Sequence, residues 1–291
     1  MGIRNIRNIH VYHESNPRFK FYQKKGKYPY DLTLGFENEI VYFPDRLDGF
    51  DDQPDQTAFD RKISNFLRKH KYIYVKEEYS NQGVEFNSHP FNWNWFLKQE
   101  EKSTRSFVEQ FGYFHDNQIF YVDDDCGFHI HLARKFFNEQ HLVNMVKFFF
   151  DPKHDSFLYK ISRRDRYSFD AWSSNEIADT GPRKQRRPFT YQEIAKLESS
   201  MFGARFGDKK AILNLYPEKT IEIRMFMGTT NPILIRAYLE FSIAVSLFTK
   251  ETDYDHINIV NFKKFVGKKR EYKNLRQLIS KPKDLYIGCQ E

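Results

Sequence analysis

The chain has 291 residues, 40% of them hydrophobic, and a formal net charge of +7. That length can bury one sizeable core and leave room for appendages, while no run approaches 18 uninterrupted apolar residues and the N-terminal stretch has no apolar signal-like segment. Two cysteines, Cys126 and Cys289, are too few for a disulfide framework or a Cys-rich zinc module, so a soluble cytoplasmic protein is expected.

In chain order, residues 1–30 form a basic arm with weak periodicity and one strand; they hold seven Lys and Arg against one acid, Glu14. Alternation predicts a strand over 33–43. A loop follows over 44–56, with Pro44, Gly49, Pro54 and several Asp. Phe59, Ile63, Phe66 and Leu67 have helical spacing. Strands at 72–78 and 83–88 are joined by a turn at Asn81-Gln82-Gly83, and a helix is expected over 92–113. Strands at 118–122 and 128–133 flank the turn Asp123-Asp124-Asp125-Cys126-Gly127. Asn138 suits the cap of a helix whose face is Leu142, Met145, Val146 and Phe149. The basic, broken stretch 160–208 reads as a long loop or flap. Strands at 211–216 and 220–226 turn at Pro217-Glu218-Lys219. Asn231-Pro232 opens an apolar helix to about residue 249. One or two basic amphipathic helices fill 258–280.

Aromatic residues make up 18% of the chain, with 30 Phe and 18 Tyr. A coding sequence rich in A and T, as in a phage or a low-GC bacterium, fills core positions with Phe, Ile and Tyr. We therefore read most of the aromatics as core.

The strands share a two-faced pattern. Side chains alternate across a strand, so residues two apart share a face. Glu37 and Glu39 share one face of the first strand, and Glu85 and Asn87 face away from Val84 and Phe86. His129 and His131 oppose Phe128, Ile130 and Leu132. Glu222 and Arg224 oppose Ile221, Ile223 and Met225, and Asn214 sits between Leu213 and Leu215. A solvated sheet face more often shows Thr, Lys, Ser and Gln. Glutamates, histidines and an arginine on one face point to a metal and phosphate site: carboxylates suit Mg²⁺ or Mn²⁺, imidazole suits Mn²⁺ or Zn²⁺, and Arg suits phosphate.

These motifs resemble the amidoligase family of carboxylate–amine ligases, related to glutamine synthetase and glutamate–cysteine ligase. The resemblance runs in order through Gly35-Phe36-Glu37-Asn38-Glu39, Gly83-Val84-Glu85-Phe86-Asn87-Ser88, Cys126-Gly127-Phe128-His129-Ile130-His131, Leu213-Asn214-Leu215 and Ile221-Glu222-Ile223-Arg224-Met225-Phe226-Met227-Gly228-Thr229. It implies an α+β fold, with a curved, mainly antiparallel sheet and helices packed on its convex face, as in a glutamine-synthetase-like catalytic domain. That domain would span 31–250, with the flap at 160–208 and a basic helical extension at 251–291.

The implied reaction uses ATP with Mg²⁺ or Mn²⁺ to activate a carboxylate as an acyl phosphate, which an amine then attacks. By the same resemblance, Glu39 and Glu85 hold the metal nearer the nucleophile. Glu37, His129 and Glu222 hold the metal that bridges the ATP phosphates. Arg224 contacts the transferred phosphate, His131 the ATP or a neighbouring carboxylate, and Asn214 the ATP. Arg163 and Arg205 lie where related enzymes carry phosphate or substrate arginines. Asn87 and Ser88 support Glu85 or touch substrate. An acid such as Glu176, Asp179 or Asp123–Asp125 could attract the ammonium, and Cys126 reads as a packing residue. Expected partners are a carboxylate and an amine, either small molecules or peptide or protein groups. No membrane is expected, nucleic acid is not favoured, and a homo-oligomer is left open. The alternatives are a metal-dependent nuclease or phosphohydrolase acting on nucleic acid, and a non-catalytic binding protein on the same fold.

Overall fold

Period-two alternation of apolar and polar side chains builds the sheet. In β2 (Thr33–Val41), Phe36, Asn38 and Ile40 are buried while Gly35, Glu37 and Glu39 are half-buried. The fold is known from a computed structural model that describes residues 9–10, 19–41, 56–78, 83–100, 106, 108–109, 111–112, 122, 125–164, 211–215 and 217–281. The other strands are β1 (Ile9–His10), β3 (Ile73–Glu78), β4 (Gly83–Ser88), β5 (Phe91–Asn92), β6 (Gly127–Ala133), β7 (Leu213–Asn214) and β8 (Thr220–Met227). Their order is β1-β3-β4-β2-β6-β8-β7, with β5 paired to β2 off that path. β1 runs parallel to β3, whereas β2 with β4, β2 with β5, β3 with β4 and β7 with β8 are antiparallel. The sheet is open and mainly antiparallel, and helices accompany it, so the protein is α+β as expected.

The chain packs as two compact units, Met1–Phe128 with Gly228–Pro232, and His129–Met227 with Ile233–Glu291. In the first, α1 (Gln56–Lys69) places Ile63, Phe66 and Leu67 in the core, and Phe66 meets Phe86 and Phe111 edge-on. Phe36 stacks on Phe128 at 5.3 Å between ring centroids. The expected helix over 92–113 is described as α2 (Trp93–Glu100), with residues 108–109 and 111–112 again helical. Asn92 belongs to β5, and its side chain accepts the Trp95 N–H, so a cap rather than a helical residue stands there.

In the second unit, Asn138 caps α3 (Glu139–Phe150), its Oδ1 accepting the His141 N–H at 2.8 Å. α4 (Asp155–Ser162) occupies a stretch that includes the first residues of the expected flap; the flap beyond Arg164 lies outside the described residues, as does most of the 44–56 loop. The strand expected at 211–216 is two residues long, β7. α5 (Pro232–Glu251) is long and apolar enough to cross a membrane, but 83% of that stretch is buried inside the fold, where Phe241 and Phe248 pack with Phe148 and Phe262. The basic C-terminal stretch forms two helices, α6 (Ile259–Gly267) and α7 (Lys273–Ser280). Glu240 of α5 ties α7 to the core: its carboxylate accepts the Leu275 N–H at 2.7 Å and the Asn274 Nδ2–H at 2.6 Å.

Candidate functional site

The polar face of β6 and β8 is a dense network around one carboxylate. Asn214 and Glu222 are direct partners in the β7–β8 register, and Asn214 Nδ2 donates to Glu222 Oε2 at 2.8 Å. The other oxygen, Oε1, lies 3.7 Å from His129 Nδ1 and 3.9 Å from His131 Nε2, and accepts a short hydrogen bond from Arg224. Glu222 and His129 are 4% and 2% exposed, so their charges and dipoles interact with little solvent screening. Alternation along β6 and β8 explains the cluster: residues 129 and 131, and 222 and 224, project to the same side while Ile130, Ile221 and Ile223 enter the core.

The polar face of β2 and β4 has a different balance. Glu39 and Glu85 oppose each other directly in the antiparallel register, and Glu37 faces Asn87. Like charges directly opposed on neighbouring strands are destabilising. Burial pushes the Glu85 carboxyl up to about 7, and Glu37 and, more weakly, Glu39 push the same way. Lys76, the register partner of Glu85 on β3, opposes that shift from 3.7 Å, and Asn87 Nδ2 donates to Glu85 Oε1 at 2.6 Å. Glu37 and Glu85 in turn raise the Tyr74 phenol, after the larger effect of burial. One oxygen of Glu39 is committed, since it accepts the Gly127 N–H at 2.6 Å.

Each unit offers donor atoms of the kind a divalent ion takes: Glu37, Glu39 and Glu85 carry carboxylate oxygens in the first, and His129 and Glu222 an imidazole nitrogen and carboxylate oxygens in the second. Carboxylate oxygens suit Mg²⁺ or Mn²⁺, and an imidazole suits Mn²⁺ or Zn²⁺.

The structure brings His129, His131, Asn214, Glu222 and Arg224 into one network, and Glu37, Glu39 and Glu85 onto one pair of strands. Arg163 ends α4 in the left-handed region, with φ 67°, and its charge reaches the buried Tyr238 of α5. Arg205, Glu176, Asp179, Asp123 and Asp124 lie outside the described residues; Asp125 is an exposed turn residue. Cys126 is fully buried, as a packing residue should be.

Two features escape a reading of the sequence alone. Lys76 sits beside Glu85, which its place on the next strand could suggest only with the register known. Asn38, on the opposite face from Glu37, clamps Thr229 by two hydrogen bonds, Nδ2–H to Thr229 O at 2.8 Å and Thr229 N–H to Oδ1 at 3.1 Å. The neighbouring Gly228 must lack a side chain, because a Cβ there would meet Glu39 O at 2.4 Å. No protein-family model matches the chain, and no curated protein matches it.

Proposed function

We propose that this protein is an ATP-dependent carboxylate–amine ligase with a glutamine-synthetase-like catalytic domain. What supports it is the convergence of His129, His131 and Arg224 on one oxygen of Glu222, with Asn214 on the other. Supporting it is the order of the motifs along the chain, in which each implied ligand position holds a chemically competent residue. The substrates would be ATP, a carboxylate and an amine. The carboxylate takes the γ-phosphoryl group of ATP to give an acyl phosphate and ADP; the amine then displaces phosphate to form the amide.

A divalent cation held by Glu37, His129 and Glu222 would offset the charge of the phosphates. The protein's own part is positional. Glu222 fixes the Arg224 guanidinium by a charge-assisted hydrogen bond, aiming a cation at the face where a transferred phosphoryl group would sit. Asn214 holds the other Glu222 oxygen, so the carboxylate cannot rotate away. Glu39 and Glu85 supply further anionic oxygens for a second cation, whose charge would relieve their opposition.

The test is ADP release with Mg²⁺ or Mn²⁺ across panels of carboxylates and amines. Release should require the metal and both substrates, and Glu222→Ala should lower it by at least ~100-fold. Undiminished release by that variant, or metal-dependent cleavage of nucleic acid without ATP, contradicts the reading.

A further inference from the structure

Among the described residues, the exposed aromatic side chains are concentrated in one place. Among the described residues four large hydrophobic side chains are exposed: Phe19 (46%), Phe21 (65%), Tyr30 (51%) and Val260 (63%). Three of the four are aromatic and fall within residues 19–30. The same stretch carries the exposed lysines Lys20, Lys24, Lys25 and Lys27, against a single neighbouring acid, Asp31.

The segment is held in shape by backbone hydrogen bonds to two buried asparagines. Lys24 N–H donates to Asn92 Oδ1 at 3.0 Å, and Asn92 Nδ2–H returns to Lys24 O at 2.9 Å. Asn94 repeats the exchange with Tyr28, at 3.0 and 2.9 Å. Gly26 passes so close that a Cβ would meet Asn94 Oδ1 at 2.5 Å. Tyr22 bonds to Pro90 and Asn92 through its backbone, and Gln23 Nε2–H reaches Tyr30 O at 3.5 Å, bringing the two ends of the segment together. The aromatic rings and ammonium groups therefore stand on a pre-ordered backbone, which lowers the entropy lost on binding.

We propose that residues 19–30 are a binding platform for single-stranded nucleic acid. Exposed Phe and Tyr rings stack with unpaired bases of any sequence, and interleaved lysines neutralise the phosphates between them. An acidic peptide would use the lysines but does not carry a planar ring at every repeat, as a single strand does. A duplex hides its base faces.

The test is fluorescence anisotropy of a labelled twelve-nucleotide oligo-dT with the full chain, repeated across a salt series. Binding is expected at low salt. Phe21→Ala and Tyr30→Ala should each weaken it by about ten-fold, and Tyr30→Phe, which keeps the ring, should restore it. Both side chains are largely exposed, so a thermal melt should not distinguish these variants from the wild type. The double change Lys20→Gln with Lys25→Gln should flatten the dependence of log affinity on log salt by ~0.7 for each phosphate that is no longer neutralised. Glu222→Ala, in the other unit, should bind as the wild type does, whatever its effect on ligase activity. Absence of binding, unchanged affinity in both alanine variants, or equal affinity for polyglutamate overturns the proposal.

Discussion

The polar faces of β2 with β4 and of β6 with β8 are built by the same alternation, yet they are electrostatic opposites. On β6 and β8 one glutamate is surrounded by an arginine, two imidazoles and an amide, so its charge is met within the network. On β2 and β4 Glu39 and Glu85 stand directly opposed, and burial with the Glu37 charge drives the carboxyl of Glu85 up to about 7 against the pull of Lys76 and Asn87. A satisfied buried network stabilises the fold that holds it. A buried carboxyl whose charged form is disfavoured costs stability instead, and such groups cluster at functional sites.

The largest stability effect should come from neutralising the satisfied carboxylate. Glu222→Gln leaves Arg224 facing an amide and should lower stability by about 2 kcal/mol in urea denaturation. The same change at Glu85 should act in the other direction. The folded pKa of Glu85 lies above its unfolded value, so the folded state binds the extra proton, and wild-type stability falls as pH rises from about 4.5 through 7. In metal-free buffer at pH 8, Glu85→Gln should therefore be more stable than the wild type by ~1–2 kcal/mol, and the gap should close by about pH 4. A destabilised Glu85→Gln at pH 8 would erase the contrast between the two faces.

The smallest effect is a titration shift. Lys76 counters the rise of the Glu85 carboxyl more than Asn87 does. Lys76→Gln should move the Glu85 titration further upward than Asn87→Ala, followed by carbon-detected NMR of the carboxyl. The reverse order would mean that the hydrogen bond, not the charge, sets its acidity.

Much of this is readable from the residues. Phe36-Glu37-Asn38-Glu39-Ile40 and Phe128-His129-Ile130-His131-Leu132 announce their faces because period two is a local property of the strand. Asn138 announces the start of α3 for a similarly local reason. Register is not local. Nothing in either segment says that Glu39 stands opposite Glu85, or that Lys76 stands beside it; those pairings are set by how the strands align. α4 is hard to separate from the expected flap because its eight residues abut the basic run that begins at Arg163. The helix expected from residue 92 begins one residue later, since Asn92 caps rather than continues it. Among the described residues most of the aromatics are core, while Phe19, Phe21 and Tyr30 are the departures that exposure alone reveals.

We propose that the glutamates and His129 serve a divalent cation. Calorimetric titration of the full chain with Mn²⁺ tests it most directly, comparing the wild type with Glu37→Ala and Glu222→Ala. Saturable binding is expected for the wild type and at least ~10-fold weaker binding for each variant, with the fold intact by circular dichroism. No binding by the wild type, or equal binding by all three, would contradict it.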